Sequence, residues 1–363
     1  MKLKPFLQGF GLFAILLTLI PIAAADFWWI RMFDYPHTQL TILTFVALVV
    51  YFMRFDVKWI KDYIFVTILL GCFVFQLYKV YPYIPHNSYE VGEAENTIDN
   101  KSAFKFYAAN VLQKNTNPNI LIEEIKAMDP DILLLTETDT RWMNDVADVV
   151  SKYKYKVEIP IDNTYGMLLY SKLQLKNTQK KFLVDDSIPS IQTIVKLRSG
   201  KEIMLYAIHP TPPMPQENPS STDRDGEMMM VAKKALNRNM PVIIAGDFND
   251  VPWSGSTKLF KKVSTLLDVR VGRGFYNTFD ATSFIMKWPL DQFFVSEEFK
   301  VIKLEKGKNI DSDHLPFYVE LSLEPKDAEK QEAEEPTESQ LENAEEQIQD
   351  AKEEQVEKKA EGQ

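Results

Sequence analysis

The chain has 363 residues, 51 acidic against 41 basic side chains and a single cysteine. That length allows one sizeable domain plus extra segments, and the lone Cys72 excludes an intramolecular disulfide and a cysteine-rich zinc site. The net charge of −10 sits in one place: residues 324–363 hold 15 acidic and 5 basic side chains, residues 84–323 hold 32 and 29, so no basic excess marks a nucleic-acid surface.

The first segment is apolar. Phe6 to Ala25 carries no charge over 20 residues, enough to cross about 30 Å of hydrocarbon at ~1.5 Å per residue. Further apolar runs lie near Thr38–Met53 and Tyr63–Tyr78. Phe27, Trp28, Trp29, Tyr51, Trp59, Tyr81 and Tyr83 cluster at their edges, where rings favour the headgroup boundary. Residues 1–83 therefore read as a membrane region of about three transmembrane helices; buried core helices of a soluble domain are the alternative. Lys2 and Lys4 precede the first run, Arg31 alone lies in the first loop, and Arg54, Lys58 and Lys61 lie in the second. The positive-inside rule then puts the N-terminus in the cytoplasm and the bulk of the chain outside, giving a multi-pass cell-membrane protein with an extracytoplasmic domain. Ala23-Ala24-Ala25 also suits a signal-peptidase site, and cleavage there would leave the domain on the same side.

Residues 84–102 are polar and read as a linker. Short β-like runs then alternate with helical patterns. Lys105–Val111 reads as a strand. Pro118 opens a helix with Leu121, Ile122, Ile125 and Met128 on one face, stopped at Asp129-Pro130. Asp131–Thr136 is a near-continuous apolar strand, as expected of one covered on both faces. Further strands are expected at Gly166–Ser171, Gln192–Leu197, Glu202–His209, Val242–Asp247, Asp291–Ser296 and Phe317–Leu323, with a helix from about Thr222 to Asn239. This pattern predicts an α/β domain of two packed sheets flanked by helices. From Glu324 onward, Glu, Gln, Lys and Ala dominate. Such a tail is expected to be disordered or a lone solvated helix, and dispensable.

Polar residues gather at the ends of the apolar strands: Asn110, Glu137, His209, Asp247 and Asn249, Asp291, and Asp313-His314 before the last strand. Carboxylate and amide oxygens suit hard cations such as Mg²⁺ or Mn²⁺, and histidine beside them suits proton transfer or charge stabilisation. Phosphoryl chemistry needs that mixture. Singly, each has a plainer reading: Glu137 as a helix cap, His209 as a structural histidine, Gly246-Asp247-Phe248-Asn249 and Ser312-Asp313-His314 as turns.

Their order resembles the endonuclease/exonuclease/phosphatase (deoxyribonuclease I-like) superfamily, in particular bacterial membrane-tethered members, over residues 103–323. The segments that carry the resemblance are Ala109-Asn110-Val111, Leu134-Leu135-Thr136-Glu137-Thr138, His209-Pro210-Thr211-Pro212, Gly246-Asp247-Phe248-Asn249, Leu290-Asp291-Gln292-Phe293-Phe294-Val295-Ser296 and Ser312-Asp313-His314-Leu315-Pro316. Gln292 departs from the His that several members carry there. The resemblance implies a four-layer α/β sandwich with mainly antiparallel sheets, and metal-dependent hydrolysis of a phosphodiester or phosphomonoester. It implies Glu137, Asn110 and Asp313 on the metal side. Asp247 and Asn249 would orient water and phosphate, His314 paired with Asp291 would stand beside the scissile phosphate, and His209 would contact a nonbridging oxygen. A lipid-borne or small substrate is expected, with nucleic acid not favoured by charge. An extracytoplasmic nuclease and a catalytically silent binding module are the alternatives.

Overall fold

The computed structural model describes residues 3–23, 26–86, 88–94, 101–331 and 333–361. Residues 24 and 25 of the proposed cleavage site, and residues 87 and 95–100 of the expected linker, lie outside them. The N-terminal part holds α1 (Leu3–Leu19), the single turn α2 (Trp28–Arg31), α3 (His37–Phe52) and α4 (Ile60–Val80). Ala14, Ala47, Leu69 and Cys72 pack at the centre of a three-helix bundle of α1, α3 and α4. Large apolar side chains such as Phe13, Phe45 and Ile64 face outward, the reverse of a water-soluble bundle. Leu3–Ile22 and Ile60–Tyr83 are long and apolar enough to cross a membrane; His37–Phe52 is apolar but shorter, at 16 residues.

The remaining chain runs β1 (Ala103–Asn110), α5 (Asn119–Met128), β2 (Ile132–Thr136), α6 (Thr140–Asp145), β3 (Tyr155–Ile159), β4 (Met167–Ser171), β5 (Gln174–Phe182), β6 (Pro189–Lys196), β7 (Glu202–Ala207), α7 (Thr222–Leu236), β8 (Val242–Asp247), α8 (Gly255–Ser264), β9 (Leu267–Asp268), β10 (Asp291–Val295), β11 (Phe299–Lys306) and β12 (Phe317–Leu323), followed by α9 (Glu338–Glu361). The two six-stranded sheets have the orders β11-β12-β1-β2-β4-β3 and β5-β6-β7-β8-β10-β9. Each has one parallel pair at its centre, β1 with β2 and β7 with β8, and every other pairing is antiparallel. Helices α5 and α7 are the crossovers that a parallel pair requires.

Strand alternation builds the layers. In β1, Phe104, Phe106 and Ala108 point between the sheets, while Tyr107 and Ala109 meet the α5 side. In β8, Ile243 and Ala245 point between the sheets, and Val242 and Ile244 meet α7 and α8. Burial on both faces explains why the central strands read as continuous apolar runs. The structure adds four strands that sequence patterning missed: β3, β5, β9 and β11. All four are sheet edges, where a partly solvated strand needs no such run; seven of the nine residues of β5 are polar.

The C-terminal tail corrects the expectation of disorder. Helix α9 lies on α7, with Ala344, Ile348 and Ala351 buried and Leu341 half-buried beside them. This spacing makes a narrow apolar stripe, which the overall scarcity of apolar residues concealed. A Cβ on Gly226 of α7 would stand 2.3 Å from Ala351 Cβ, so the helices approach at a backbone without a side chain. Asp223 accepts from Lys358 Nζ at 2.7 Å and Gln355 Nε2 at 2.8 Å. Truncation after Leu323 is therefore expected to lower the melting temperature by roughly 5–10 °C, since re-exposing Ile348 and its neighbours costs about 2–3 kcal/mol. A thermal melt of the truncated chain checks this; an unchanged midpoint would restore the dispensable tail.

Candidate active site

Topology assembles the site. A parallel pair brings the C-terminal ends of both strands to one edge, and antiparallel neighbours start at that same edge. Asn110 closes β1, Glu137 follows β2, His209 lies two residues beyond β7, Asp247 closes β8, Asp291 opens β10, and Asp313-His314 precede β12. The register sets Asn110 opposite Thr136 and Asp247 opposite Asp291. His209 lies outside β7, one correction to the expected strand Glu202–His209.

Backbone constraints explain the motif residues. Gly246 has φ +143°, and a Cβ there would stand 2.0 Å from the Ile208 carbonyl oxygen, so only glycine fits. Asn249 turns the chain at φ +50°, a conformation asparagine tolerates, and its N–H donates to Asp247 Oδ1 at 3.0 Å. Glu137 also stands at positive φ, +57°, where a residue other than glycine or asparagine is uncommon. Such strain gathers at functional positions.

Hydrogen bonds join these residues into one network. Asn110 Nδ2 donates to Glu137 Oε1 at 2.8 Å and to Asp247 Oδ2 at 3.0 Å, bridging the two sheets. Glu137 Oε2 accepts from Gln113 N at 3.2 Å. His314 Nδ1 pairs with Asp291 Oδ2 at 2.8 Å, leaving Nε2 3.5 Å from Asp247 Oδ2. His209 Nε2 lies 3.8 Å from the same oxygen. Ser312 Oγ donates to the Asn110 carbonyl at 2.8 Å and accepts from His314 N at 3.0 Å, tying the last loop to β1. Asn249 Nδ2 donates to the Pro210 carbonyl at 3.0 Å. Asp313 is half-buried in that last loop; its backbone carbonyl accepts from Ala281 N at 2.7 Å.

The electrostatics follow from this packing. Burial alone would raise the Asp247 carboxyl, but His314, His209 and the Asn249 and Asn110 hydrogen bonds hold it below its ordinary value. Burial alone would likewise lower His314; the facing Asp247 and Asp291 carboxylates overcome it and push the imidazolium up to about 10. His314 is thus a charged donor at neutral pH. His209 Nδ1 is buried with no hydrogen-bond partner among the described residues.

Two cation readings compete here. Asp247, Asp291 and His314 lie with ligand atoms within 4.8 Å of one another, whereas the expected set was Asn110, Glu137 and Asp313. In the first group the Asp291–His314 hydrogen bond occupies Nδ1 and leaves Nε2 facing Asp247. Glu137 instead opens onto a cleft of about 510 Å³ lined by Gln113, Lys114, Asp139, Arg141 and Thr164. Within the network Asn110 points its NH₂ at both carboxylates and accepts from Leu112 N at 3.0 Å with Oδ1. Ligation through Oδ1 requires the amide to turn over. A cleft of about 610 Å³ elsewhere, between Lys201, Arg238 and Glu297, contains none of these residues.

Several contributors gave no sequence signal. Tyr35 Oη and Arg224 Nη1 both donate to the Asn249 carbonyl, at 2.9 and 3.0 Å. The rings of Tyr165 and His209 lie 5.1 Å apart, and those of Phe279 and His314 4.9 Å. Arg224 had one clue, an Asp223-Arg224-Asp225 run buried on α7. Tyr35 had none, because its partner is 214 positions away.

The model of the endonuclease/exonuclease/phosphatase family matches residues 107–314. No curated protein matches the chain. Among solved structures, Danio rerio TDP2 complexed with a single-strand DNA product aligns at 16% identity with a TM-score of 0.53, covering 61% of this chain and 99% of that one. A humanised D. rerio TDP2 with 14 mutations gives 17% and 0.52, covering 61% and 99%. An endonuclease/exonuclease/phosphatase from Bacteroides vulgatus gives 17% and 0.50, covering 62% and 100%. At these identities the likeness is one of fold.

Proposed function

The chain belongs to the endonuclease/exonuclease/phosphatase family, a phosphoric ester hydrolase, and on that premise we propose a membrane-anchored, divalent-metal-dependent phosphoesterase whose substrate is a lipid-borne or small phosphate ester. The observation that carries the reading is the buried Asp291–His314–Asp247 array beside the exposed edge of Glu137. A carboxylate-held imidazolium faces a second carboxylate across a site bounded by a half-buried acid.

Each residue then has a task its surroundings suit. Glu137, with Asp313 and the Asn110 oxygen, would hold Mg²⁺ or Mn²⁺; oxygen donors fit a hard cation. Such an ion neutralises phosphate charge and aids formation of the nucleophile. Asp247, kept ionised, accepts a proton from attacking water. Asn249, held by Tyr35 and Arg224, orients it. His314 donates to the developing charge, and Asp291 fixes its tautomer and direction. His209, whose Nε2 faces the site 3.8 Å from Asp247 Oδ2, would contact a nonbridging oxygen.

Location rests on charge and packing. Lys4 pairs with Asp62 at the bundle end remote from the domain, where Arg54, Lys58 and Lys61 also lie. The opposite end meets the domain: Trp253 Nε1 donates to the Asp34 carbonyl at 2.8 Å, and Val80 and Tyr83 pack with Val251 and Trp253. The basic end reads as cytoplasmic and the domain as extracytoplasmic, with three crossings. Nuclease activity is the second reading, prompted by the TDP2–DNA complex. The balanced charge of residues 84–323 disfavours it, because unspecific DNA binding relies on neutralising several phosphates.

The test has two arms on the full chain in detergent or cells. Duplex DNA, RNA, phosphatidylglycerol vesicles, inositol phosphates and p-nitrophenyl phosphate are each offered with Mg²⁺, Mn²⁺ or chelator. Metal-dependent hydrolysis of a lipid or small ester is expected; cleavage of DNA alone establishes the nuclease, and inactivity on everything the binding module. A cysteine added to the tail of a Cys72→Ser chain should react with an impermeant thiol reagent on intact cells; reaction only after lysis reverses the topology.

A further inference from the structure

Between Phe279 and Trp288 the chain lifts three consecutive apolar side chains into the open: Phe284 is 95% exposed, Ile285 66% and Met286 46%. The tip is a formed structure. Asp280 Oδ1 accepts from Thr282 N at 2.7 Å, Ser283 Oγ accepts from Met286 N at 2.9 Å, and Asp280 N donates to the Met286 carbonyl at 3.3 Å. Its position is fixed on two sides. Gln39 Nε2, on the first turn of α3, donates to the Ile285 carbonyl at 2.8 Å, and the Tyr35 and Trp288 rings lie 5.6 Å apart. Toward the site, Trp288 stacks on Phe279 at 6.0 Å and Phe279 abuts His314 at 4.9 Å. An aromatic wall thus runs from His314 to the point where α3 begins.

We propose that the 283–287 tip dips into the bilayer face on the domain's side, so that the phosphate reaching His314 belongs to a lipid headgroup. This rests on the membrane reading of α1, α3 and α4 given above. Water-exposed apolar runs of this kind are costly and commonly mark an interaction surface. Here the surface continues into the outward-facing apolar flank of α3, whose Ile42, Phe45 and Val46 are exposed, so the partner that covers the helix also covers the tip. Asp280, Thr282, Ser283 and Met286 pair with one another within the loop, and Gln39 covers the Ile285 carbonyl, which lowers the cost of entering an apolar medium. Lys287 and Trp288 follow the tip, residue types that settle at the headgroup boundary. The substrate class that follows is a phosphate ester of an amphiphile whose headgroup lies at that boundary.

The experiment uses the full chain in phosphatidylcholine–phosphatidylglycerol vesicles. Phe284→Cys in a Cys72→Ser background is labelled with an environment-sensitive nitrobenzoxadiazole, with Lys201→Cys as reference, at the start of β7 and hence the opposite end of the sandwich from His209. The label at 284 should shift to the blue and be quenched roughly twofold or more by spin-labelled lipid, while the label at 201 should respond only to aqueous iodide. Equal iodide access at both positions overturns the proposal. So does a blue shift that depends on protein density and not on lipid, which would give the tip to a second copy. In the second arm, Phe284→Asp with Ile285→Asp should slow phosphatidylglycerol hydrolysis by about tenfold and leave bis(p-nitrophenyl) phosphate hydrolysis within about twofold. Equal loss on both substrates overturns the headgroup route. Lipid quenching in a chain that hydrolyses only soluble esters would sustain the insertion and overturn the lipid-borne substrate.

Discussion

Replacing Glu137 by Gln is expected to lower turnover by about 10³ while leaving the fold intact. A bound cation that neutralises phosphate oxygens supplies several kcal/mol, and each ~1.4 kcal/mol is tenfold in rate. Gln has the shape of Glu, and its one amide oxygen keeps either the Asn110 or the Gln113 N–H contact while the charge and the second acceptor are lost. Glu137 is half-buried at the edge of the sheets, and Gln has nearly the same volume, so packing changes little. The measurements are Mn²⁺ titration by calorimetry and steady-state rates in Mg²⁺ against chelator. Weakened metal binding with an unchanged melting temperature is the expected pair of results. Full activity of the variant, or of the parent chain in excess chelator, would remove Glu137 from the metal site.

Loss of the His314 imidazole should cost about 10²–10³ in kcat, the size typical of a preorganised donor to developing charge. Because His314 is only 4% exposed, truncation to Ala also leaves a cavity, and the decisive variant is Asp291→Asn. It keeps the shape of the pair but withdraws the charge that holds Nδ1 protonated and Nε2 aimed at Asp247. Asp291→Asn is expected to lower kcat about 10²-fold, with KM little changed and the circular dichroism spectrum preserved. A rate within a few fold of the parent chain would make the Asp291–His314 pair a structural tie between β10 and the last loop.

The family was legible in the sequence from the order of six motifs that resemble it, and the positions of the candidate site residues had a physical signal: central strands are apolar on both faces, so a polar residue at a strand end stands out. Asn110, Glu137, His209, Asp247, Asp291 and His314 were each found at such an end. The inner strands β1, β2, β4, β6, β7, β8, β10 and β12 were found the same way. Edge strands β3, β5, β9 and β11 were not, because half their surface meets water and their composition resembles that of loops. The apolar N-terminal runs were equally plain, since length and hydropathy alone define them.

What only the tertiary structure decided depends on contacts between distant segments. The Tyr35 bond to the Asn249 carbonyl spans 214 positions and that of Asp223 to Lys358 spans 135, and no local period encodes either. The tail shows the limit most clearly. Its composition forbids a core of its own, and it folds because α7 presents Gly226 and a buried face on which a stripe as thin as Ala344, Ile348 and Ala351 suffices. A residue's own neighbours in sequence set its conformational preference; whether a marginal apolar stripe or a buried carbonyl finds its partner is set by the surface that the rest of the chain brings to it.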